Sequence, residues 1–442
     1  MQKQIRKKMN KLTLISFITL LVTNLVVQAD ENENRELEHS FRDVVSSTIQ
    51  APQKEVPIIN KFKKMFHKGK VSGNIRSIYS FFDNKSSSDT YAIAVGGGLK
   101  YELATFNGFN AGAAFQTTYD IDSLSGKDEK KNEDLSGAKG YSTRLSEAYI
   151  NYKYREFNLR FGRQIIDTPL ADSDDIRMTP NSFEAYVASY EMDHFSLMAG
   201  HLNNWQGYDA GLDNAWVKMG KNGVNFVGIS YSDKIFDIDL WYYNISNASK
   251  EDILSGADEN GNNSFYADIS GHFDLHKDIF LHFAGQYLKQ NELDESGVAA
   301  NIYGAMAQAV VRSVSFGLAY NLATKEKEKQ SFSGFGGGAL YTNMDTMILD
   351  EITQDRRVRA FVVSFGYTIG DINLLYAYGD FAGDEDSFGV KEHIVAHNIG
   401  VEYTTKDELT LSAVYARHEN KEDPASTFYT DNYLRILASY NF

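Results

Sequence analysis

The chain has no cysteine in its 442 residues and five prolines. The first absence excludes a disulfide framework and thiol chemistry. All five prolines (Pro52, Pro57, Pro169, Pro180 and Pro424) fall between the patterned segments described below, as expected where a missing N–H would break a strand ladder. Tryptophan is scarce, with three residues against 27 Tyr and 28 Phe, so tyrosine and phenylalanine supply the large rings. Positive charge is also short, giving a formal net charge of -15. An acidic chain does not suit nucleic acid, whose phosphates select for lysine and arginine. After Val27 there is no long apolar run, which excludes a membrane-spanning helix. Mean hydropathy is -0.38, and that value does not argue against a membrane barrel, whose strands are apolar on one face only.

The N-terminus has the layout of a secretory signal peptide. Lys3, Arg6, Lys7, Lys8 and Lys11 precede an apolar run from Leu12 to Val27, and Val27 and Ala29 are small residues at cleavage-site spacing. The expected boundaries are a signal peptide over 1–29, a charged periplasmic extension over 30–69 and a barrel over 70–442. Cleavage removes five positive charges and moves the formal charge from -15 to -20. The extension holds Pro52 and Pro57 and reads as partly helical and partly unstructured.

From Val71 onward the period is two. Tyr91, Ile93, Val95, Leu99 and Tyr101 share one parity, and Ala92, Gly96, Lys100 and Glu102 share the other. Such alternation predicts a strand with one apolar face. About eighteen such runs of roughly ten residues follow one another, the length a tilted strand needs to cross a bilayer. They are joined alternately by short links ("YREF", "EMDH", "IGD") and long polar ones, and the last ends in Phe442. The pattern predicts an all-β fold, a transmembrane antiparallel β-barrel of about 18 strands with short periplasmic turns and long extracellular loops. A closed barrel pairs every backbone N–H and C=O where no water reaches. At this strand number the interior is wide enough for water. Tyr152, Tyr154 and the run Trp241 to Tyr243 are expected in the interfacial aromatic girdles.

Catalytic and metal motifs are not found. The ten histidines are scattered, and the pairs His272/His276 and His393/His397 are read as rim or lumen polarity. "SGFGGGAL" (333–340) lacks the Lys-Ser of a nucleotide loop, and "GADENGNN" (256–263) lacks the full calcium-loop pattern. No enzyme, cofactor or metal is therefore expected. On the assumption that the apolar face meets lipid, parity turns Arg76, Arg160, Arg312 and Arg435 inward as lumen-wall candidates. A charge on the lipid face would cost about 2–4 kcal/mol at the midplane. Arg356, Arg357 and Arg359 lie too near a boundary to assign.

The third long connection, following "FNLRFGRQI", carries the densest charge cluster: "TPLADSDDIRMTPNSFEAY". This stretch resembles the OprD-type outer-membrane porins, with Pro169, Ser173, Asp174, Asp175, Arg177, Pro180 and Phe183 at the matching positions. The resemblance implies an eighteen-stranded porin of the bacterial outer membrane. It would pass small hydrophilic solutes, often carboxylates, by passive or facilitated diffusion. It also implies that the third loop narrows the lumen, with Asp172, Asp174, Asp175, Arg177 and Pro180 as constriction residues. Wall arginines are sparse for a carboxylate ladder, so anion or cation preference stays open. Expected partners are small solutes or ions, outer-membrane lipid, lipopolysaccharide and the barrel-assembly machinery through Phe442, with a homotrimer possible. The alternative is a non-conducting structural or adhesive barrel acting through its loops. A plugged energy-coupled transporter would need a far larger domain before the barrel than the roughly forty residues of the extension can supply.

Overall fold

A computed structural model describes residues 57–442 except 86, 214–215, 247–259, 407 and 423–430. The signal peptide and most of the expected extension lie outside the described residues. So does the first half of the "GADENGNN" stretch, residues 256–259. Within the described residues one α-helix, α1 (Pro57–His67), precedes nineteen strands in a single antiparallel sheet, and two single-turn 3-10 helices lie in the loops. The strands are β1 (Lys70–Asp83), β2 (Thr90–Glu102), β3 (Phe109–Asp120), β4 (Tyr141–Tyr154), β5 (Phe157–Gln164), β6 (Ser182–Met192), β7 (Phe195–Gln206), β8 (Val217–Lys218), β9 (Val224–Ser232) and β10 (Phe236–Ile245). They continue as β11 (Asn262–His276), β12 (Ile279–Glu292), β13 (Ala300–Val311), β14 (Val314–Ala323), β15 (Val358–Ile369), β16 (Ile372–Gly383), β17 (Glu392–Thr404), β18 (Leu409–Asn420) and β19 (Asn432–Asn441). β8 is a two-residue piece that pairs with the end of β7, while β7 also pairs with β9. The other eighteen form the wall.

The sheet closes because β1 pairs with β19 as well as β2, in a register that sets Arg76 against Ser439 and Ser80 against Arg435. Phe442 completes the seam: its N–H donates to the Gly73 carbonyl at 3.0 Å, and the Gly73 N–H donates back at 2.9 Å. No edge is left to aggregate or to meet lipid unpaired. Gly97, at φ +136°, lies against this seam; a Cβ there would come within 2.0 Å of the Asn74 carbonyl oxygen.

Alternation decides which residues face out. Ile75, Leu99, Phe115, Ile150, Phe283 and Phe365 stand between 47 and 64% exposed on the outer surface. Apolar exposure on this scale marks the lipid face of a barrel. Tyr152, Tyr154, Phe157 and Tyr440 ring the short-turn rim from outside, the expected girdle. Trp241 and Tyr243 depart from the expectation. They share parity with Asp239, point inward and are buried, while Tyr242 between them faces out. The reason is a feature that period two does not encode. Near the long-loop rim the inner face is itself apolar, because loops pack against it. Phe226, Trp241, Tyr243, Val362, Phe381 and Ile394 from the wall join Ile166, Leu170, Phe335, Tyr341, Met347 and Ile352 from the loops in one buried cluster. Near the short turns the inner face is polar, with Asn151, Arg160, Asp237, Asp239 and His282. The interior is therefore a packed core on one side and a polar chamber on the other.

Candidate functional site

Four long loops fold inward: L2 (121–140), L3 (165–181), L4 (the described residues of 207–223) and L7 (324–357). L3 leaves β5 and returns into β6, yet its middle reaches β1, β2 and β19. Met178 packs with the inward Ile78, Ala92, Ala94 and Leu437 and with Leu135 of L2. L3 and L7 are joined by backbone: the Phe335 N–H donates to Leu170 O at 2.9 Å and the Asp172 N–H to Phe335 O at 3.0 Å. Gly336 makes this approach possible. Its φ is +102°, and a Cβ would lie 2.3 Å from the Asp172 carbonyl oxygen. Gln286 and Asn321, inward on β12 and β14, hold L7 to the wall by bonds to Ala339, Tyr341 and Thr342.

Three ion pairs tie the loops to one another and to the wall. Arg76 on β1 donates to both carboxylate oxygens of Asp175 at 2.6 and 3.1 Å and also to the Arg177 carbonyl. Arg177 Nε donates to Asp134 of L2 at 3.3 Å. Arg435 on β19 donates to Asp345 of L7 at 2.8 Å, with both side chains 2% exposed or less. Asp134 also accepts from Ser80 (2.8 Å), Tyr208 (2.7 Å) and Tyr433 (3.1 Å). The Arg177 guanidinium stacks over the rings of Tyr208 (4.7 Å) and Tyr433 (5.2 Å). Buried charges persist when paired and hydrogen-bonded in this way. Tyr433 shares strand parity with Arg435 and was legible as inward-facing. Asp134 carries no sequence signal, because it sits in an ordinary charged loop 43 residues from its partner.

The remaining L3 residues form a carboxylate seam against L4 and L7. The Asp174 N–H donates to Asp172 Oδ1 at 2.7 Å, and Asn181 donates to Asp209 at 2.6 Å. Burial pushes the Asp172 carboxyl up to about 6. It also holds Asp174 well above the usual carboxylate range, with Asp209 beside it adding to the effect, and Asp209 is raised likewise. Pro180 is partly exposed at the return into β6. A carboxyl raised by docking binds its proton more tightly docked than free. Docking is therefore strongest below the ordinary carboxylate range and weakens as pH rises through about 6. Single-channel conductance of the reconstituted protein is accordingly expected to rise between pH 4.5 and 7.5, and a flat profile over that window contradicts this assignment.

Of the four wall arginines expected to face inward, Arg76 and Arg435 do so but are buried in the ion pairs above. Arg160 also faces inward, in register with Asn151. It donates to Asn151 Oδ1 at 3.1 Å and lies 4.3 Å over the Tyr149 ring. It is partly exposed, and no ion pair to a carboxylate forms among the described residues. Arg312 is a correction. It lies in the turn between β13 and β14 at φ +55°, its side chain is 80% exposed, and it faces Asp278 of the neighbouring turn at 3.8 Å. Parity with Gln308 ended where the strand ended. The three unassigned arginines separate: Arg356 is buried against Asp386 and Glu392, Arg357 lies at the rim before β15, and Arg359 faces out beside Asp384. His393 and His397 lie on the outer face, whereas the bulge at Asp274/His276 separates His272, which is inward, from His276 at the turn.

A second cation, Lys100, lies on the same arc of wall as Arg160 and pairs with Glu147 at 2.8 Å. On a separate arc, β10 and β11 present Asp237, Asp239 and Asp268, with His272 bonded to Asp237 at 2.5 Å and stacked on His282. The chamber thus carries Lys100 and Arg160 together with Glu102 and Glu147 on β2–β5, and Asp237, Asp239 and Asp268 on β10–β11.

A family model described as outer membrane porin, OprD family, matches residues 105–358. Among solved structures, the chain is similar to Pseudomonas aeruginosa OpdK crystallised with vanillate. That match has 16% identity, covers 86% of this chain and 99% of that one, and has a TM-score of 0.69. Acinetobacter baumannii OccAB3 matches with a TM-score of 0.71 at 13% identity, over 85% of this chain and 99% of that one. OccAB2 of the same organism gives 0.70 at 13%, over 86% and 99%. At such identities the likeness is one of fold. No curated protein matches the sequence.

Proposed function

From the premise that the chain belongs to the OprD family of outer membrane porins, we propose that L3 forms the narrowest part of its channel. We further propose that Arg160 is the wall residue that contacts anionic solutes. The channel serves small hydrophilic solutes in the bacterial outer membrane. The observation that carries the proposal is the Arg177–Asp134 pair with its two tyrosines, which supports an L3 held across the interior by a buried strut. Asp172, Asp174, Asp175 and Pro180 shape the loop in this reading, and Arg76 and Arg435 brace it.

Arg160 is assigned to solute contact for a physical reason: a cation already neutralised by a carboxylate offers little field to a passing anion. Carboxylates on the β10–β11 arc and Arg160 on the β2–β5 arc, where Lys100 is paired with Glu147, support a transverse field that orients dipolar solutes. The neighbour crystallised with vanillate, a carboxylate, supports this solute class. Reversal potential under a salt gradient tests the assignment. Arg160→Ala is expected to shift it towards cation preference and to weaken competition by added carboxylates; an unchanged potential removes Arg160 from the path. Planar-bilayer recording of the refolded protein separates a channel from a structural barrel, which would conduct nothing. The seam geometry of Phe442, whose ring is 45% exposed on the outer face, supports a role as the assembly signal.

A further inference from the structure

The chain is acidic, yet the stretch leading into the barrel is wholly basic. Between Lys61 and Lys70 lie five lysines and His67, with no aspartate or glutamate. This stretch is the C-terminal half of α1 and the link into β1. Lys61, Lys63, Lys64, His67, Lys68 and Lys70 are all exposed, and none pairs with a carboxylate among the described residues. The absence of such pairing is unusual in a protein with an excess of acids, and it leaves their charge uncompensated by the described part of the chain.

The seat of the helix indicates which surface that charge faces. α1 does not hang below the lumen. Its last turn is fastened to the barrel rim at two points. The Ala104 N–H donates to the Met65 carbonyl at 3.1 Å, and the Tyr101 hydroxyl donates to the Phe66 carbonyl. Tyr101 belongs to the outward face: it is in register with Val71 on β1 and Ala113 on β3, and Val71 is 61% exposed to lipid. Gly69 fits against the Tyr101 ring, where a Cβ would come within 2.4 Å of the hydroxyl. Lys61 lies 5.7 Å from the Phe106 ring at the same turn. Met65 is buried in this seat, whereas Phe66 beside it is 57% exposed. The helix is therefore held at the lipid-facing edge of the short-turn rim, with an exposed aromatic ring and a set of exposed ammonium groups that have no carboxylate partner among the described residues.

We propose that α1 and the following link form a docking surface for anionic phospholipid headgroups of the periplasmic leaflet. Phe66 enters the interface, and the lysines take the phosphates. An exposed apolar side chain among lysines at a membrane surface gains both burial of the ring and attraction to the anionic surface potential. The lysine stems lie along the interface while their heads reach the phosphates. Such docking would fix the N-terminal extension to the membrane beside the barrel and keep it clear of the channel mouth.

The absence of native cysteine makes the test direct. A single His67→Cys site in the full chain is labelled with an environment-sensitive NBD dye and reconstituted into vesicles. One set is phosphatidylethanolamine with phosphatidylglycerol, and the other is phosphatidylethanolamine with phosphatidylcholine. The expected result is brighter, blue-shifted emission in the anionic vesicles only, reversed by high salt, because exposed charge attraction is screened within about 10 Å at 0.1 M. The same chain with Lys61→Gln, Lys63→Gln, Lys64→Gln and Lys68→Gln is expected to lose that shift while its channel conductance and heat-modifiable migration show an intact barrel. Equal emission in both vesicle types overturns the proposal, as does a full shift in the glutamine variant. Lysine-dependent sedimentation with purified peptidoglycan, without lipid-dependent emission, overturns it in favour of a cell-wall partner. None of these readouts depends on which residues line the constriction, so this proposal and the channel assignment fail separately.

Discussion

Arg177→Ala is expected to raise single-channel conductance severalfold and to make the current noisy. The guanidinium is buried against Asp134, and the hydroxyls of the two tyrosines that flank it also donate to that carboxylate. Removing one partner of a buried pair leaves the other charge uncompensated, at a cost of about 3–5 kcal/mol. The barrel wall does not depend on this pair, because its ladders close without it. The cost therefore falls on the docking of L3 against L2 and β19. With L3 released, Asp134 regains water and the passage widens. Arg177→Lys keeps the charge but loses the planar stack on Tyr208 and Tyr433, and an intermediate conductance is expected. Wild-type conductance and ion selectivity in Arg177→Ala would show that L3 does not bound the passage.

Phe335→Ala is expected to unseat L7 from L3 by a comparable amount. The ring is 1% exposed and meets Trp205 edge-on at 5.3 Å and Phe332 at 5.1 Å. Truncating a buried phenylalanine costs about 3–5 kcal/mol where the neighbours cannot collapse into the space. The wall strands around this ring are held by their own ladders and cannot move in. The loss is therefore expressed as loosening of L7. Met344 and Met347, 2% and 0% exposed, lie downstream in the same loop and report on it. In the variant, peroxide should oxidise both at least tenfold faster than in the wild type, with unchanged heat-modifiable migration. Protection equal to the wild type would mean that L7 is held by Gln286 and Asn321 rather than by the aromatic contact.

The aromatic contact and the three ion pairs were the least visible features in the sequence, for one physical reason. Period two reports which residues share a face but not what that face meets. Trp241 and Tyr243 alternate as a girdle pair would, and they are buried inside because L3 occupies the space against them; Leu170 N–H approaches the Tyr243 hydroxyl at 3.4 Å. Arg312 continues the parity of Gln308 by arithmetic alone, and a turn with positive φ takes it out of the wall. Partners such as Arg76 and Asp175, or Arg435 and Asp345, are 99 and 90 residues apart, and no local spacing connects them.

What the sequence by itself determined is the barrel: its strand number, its antiparallel order, the short and long rims, and the one loop whose residues match a porin family. Those properties follow from alternation, segment length and turn composition, which are local. What only the tertiary structure decided is the interior. The strands set the loops inside a cylinder narrow enough for L2, L3, L4 and L7 to touch. Contact then converted arginines expected to face water into buried struts and left Arg160 partly exposed on the inner wall, with no carboxylate partner among the described residues. Burial and pairing depend on which distant segments meet, and that is settled when the sheet closes.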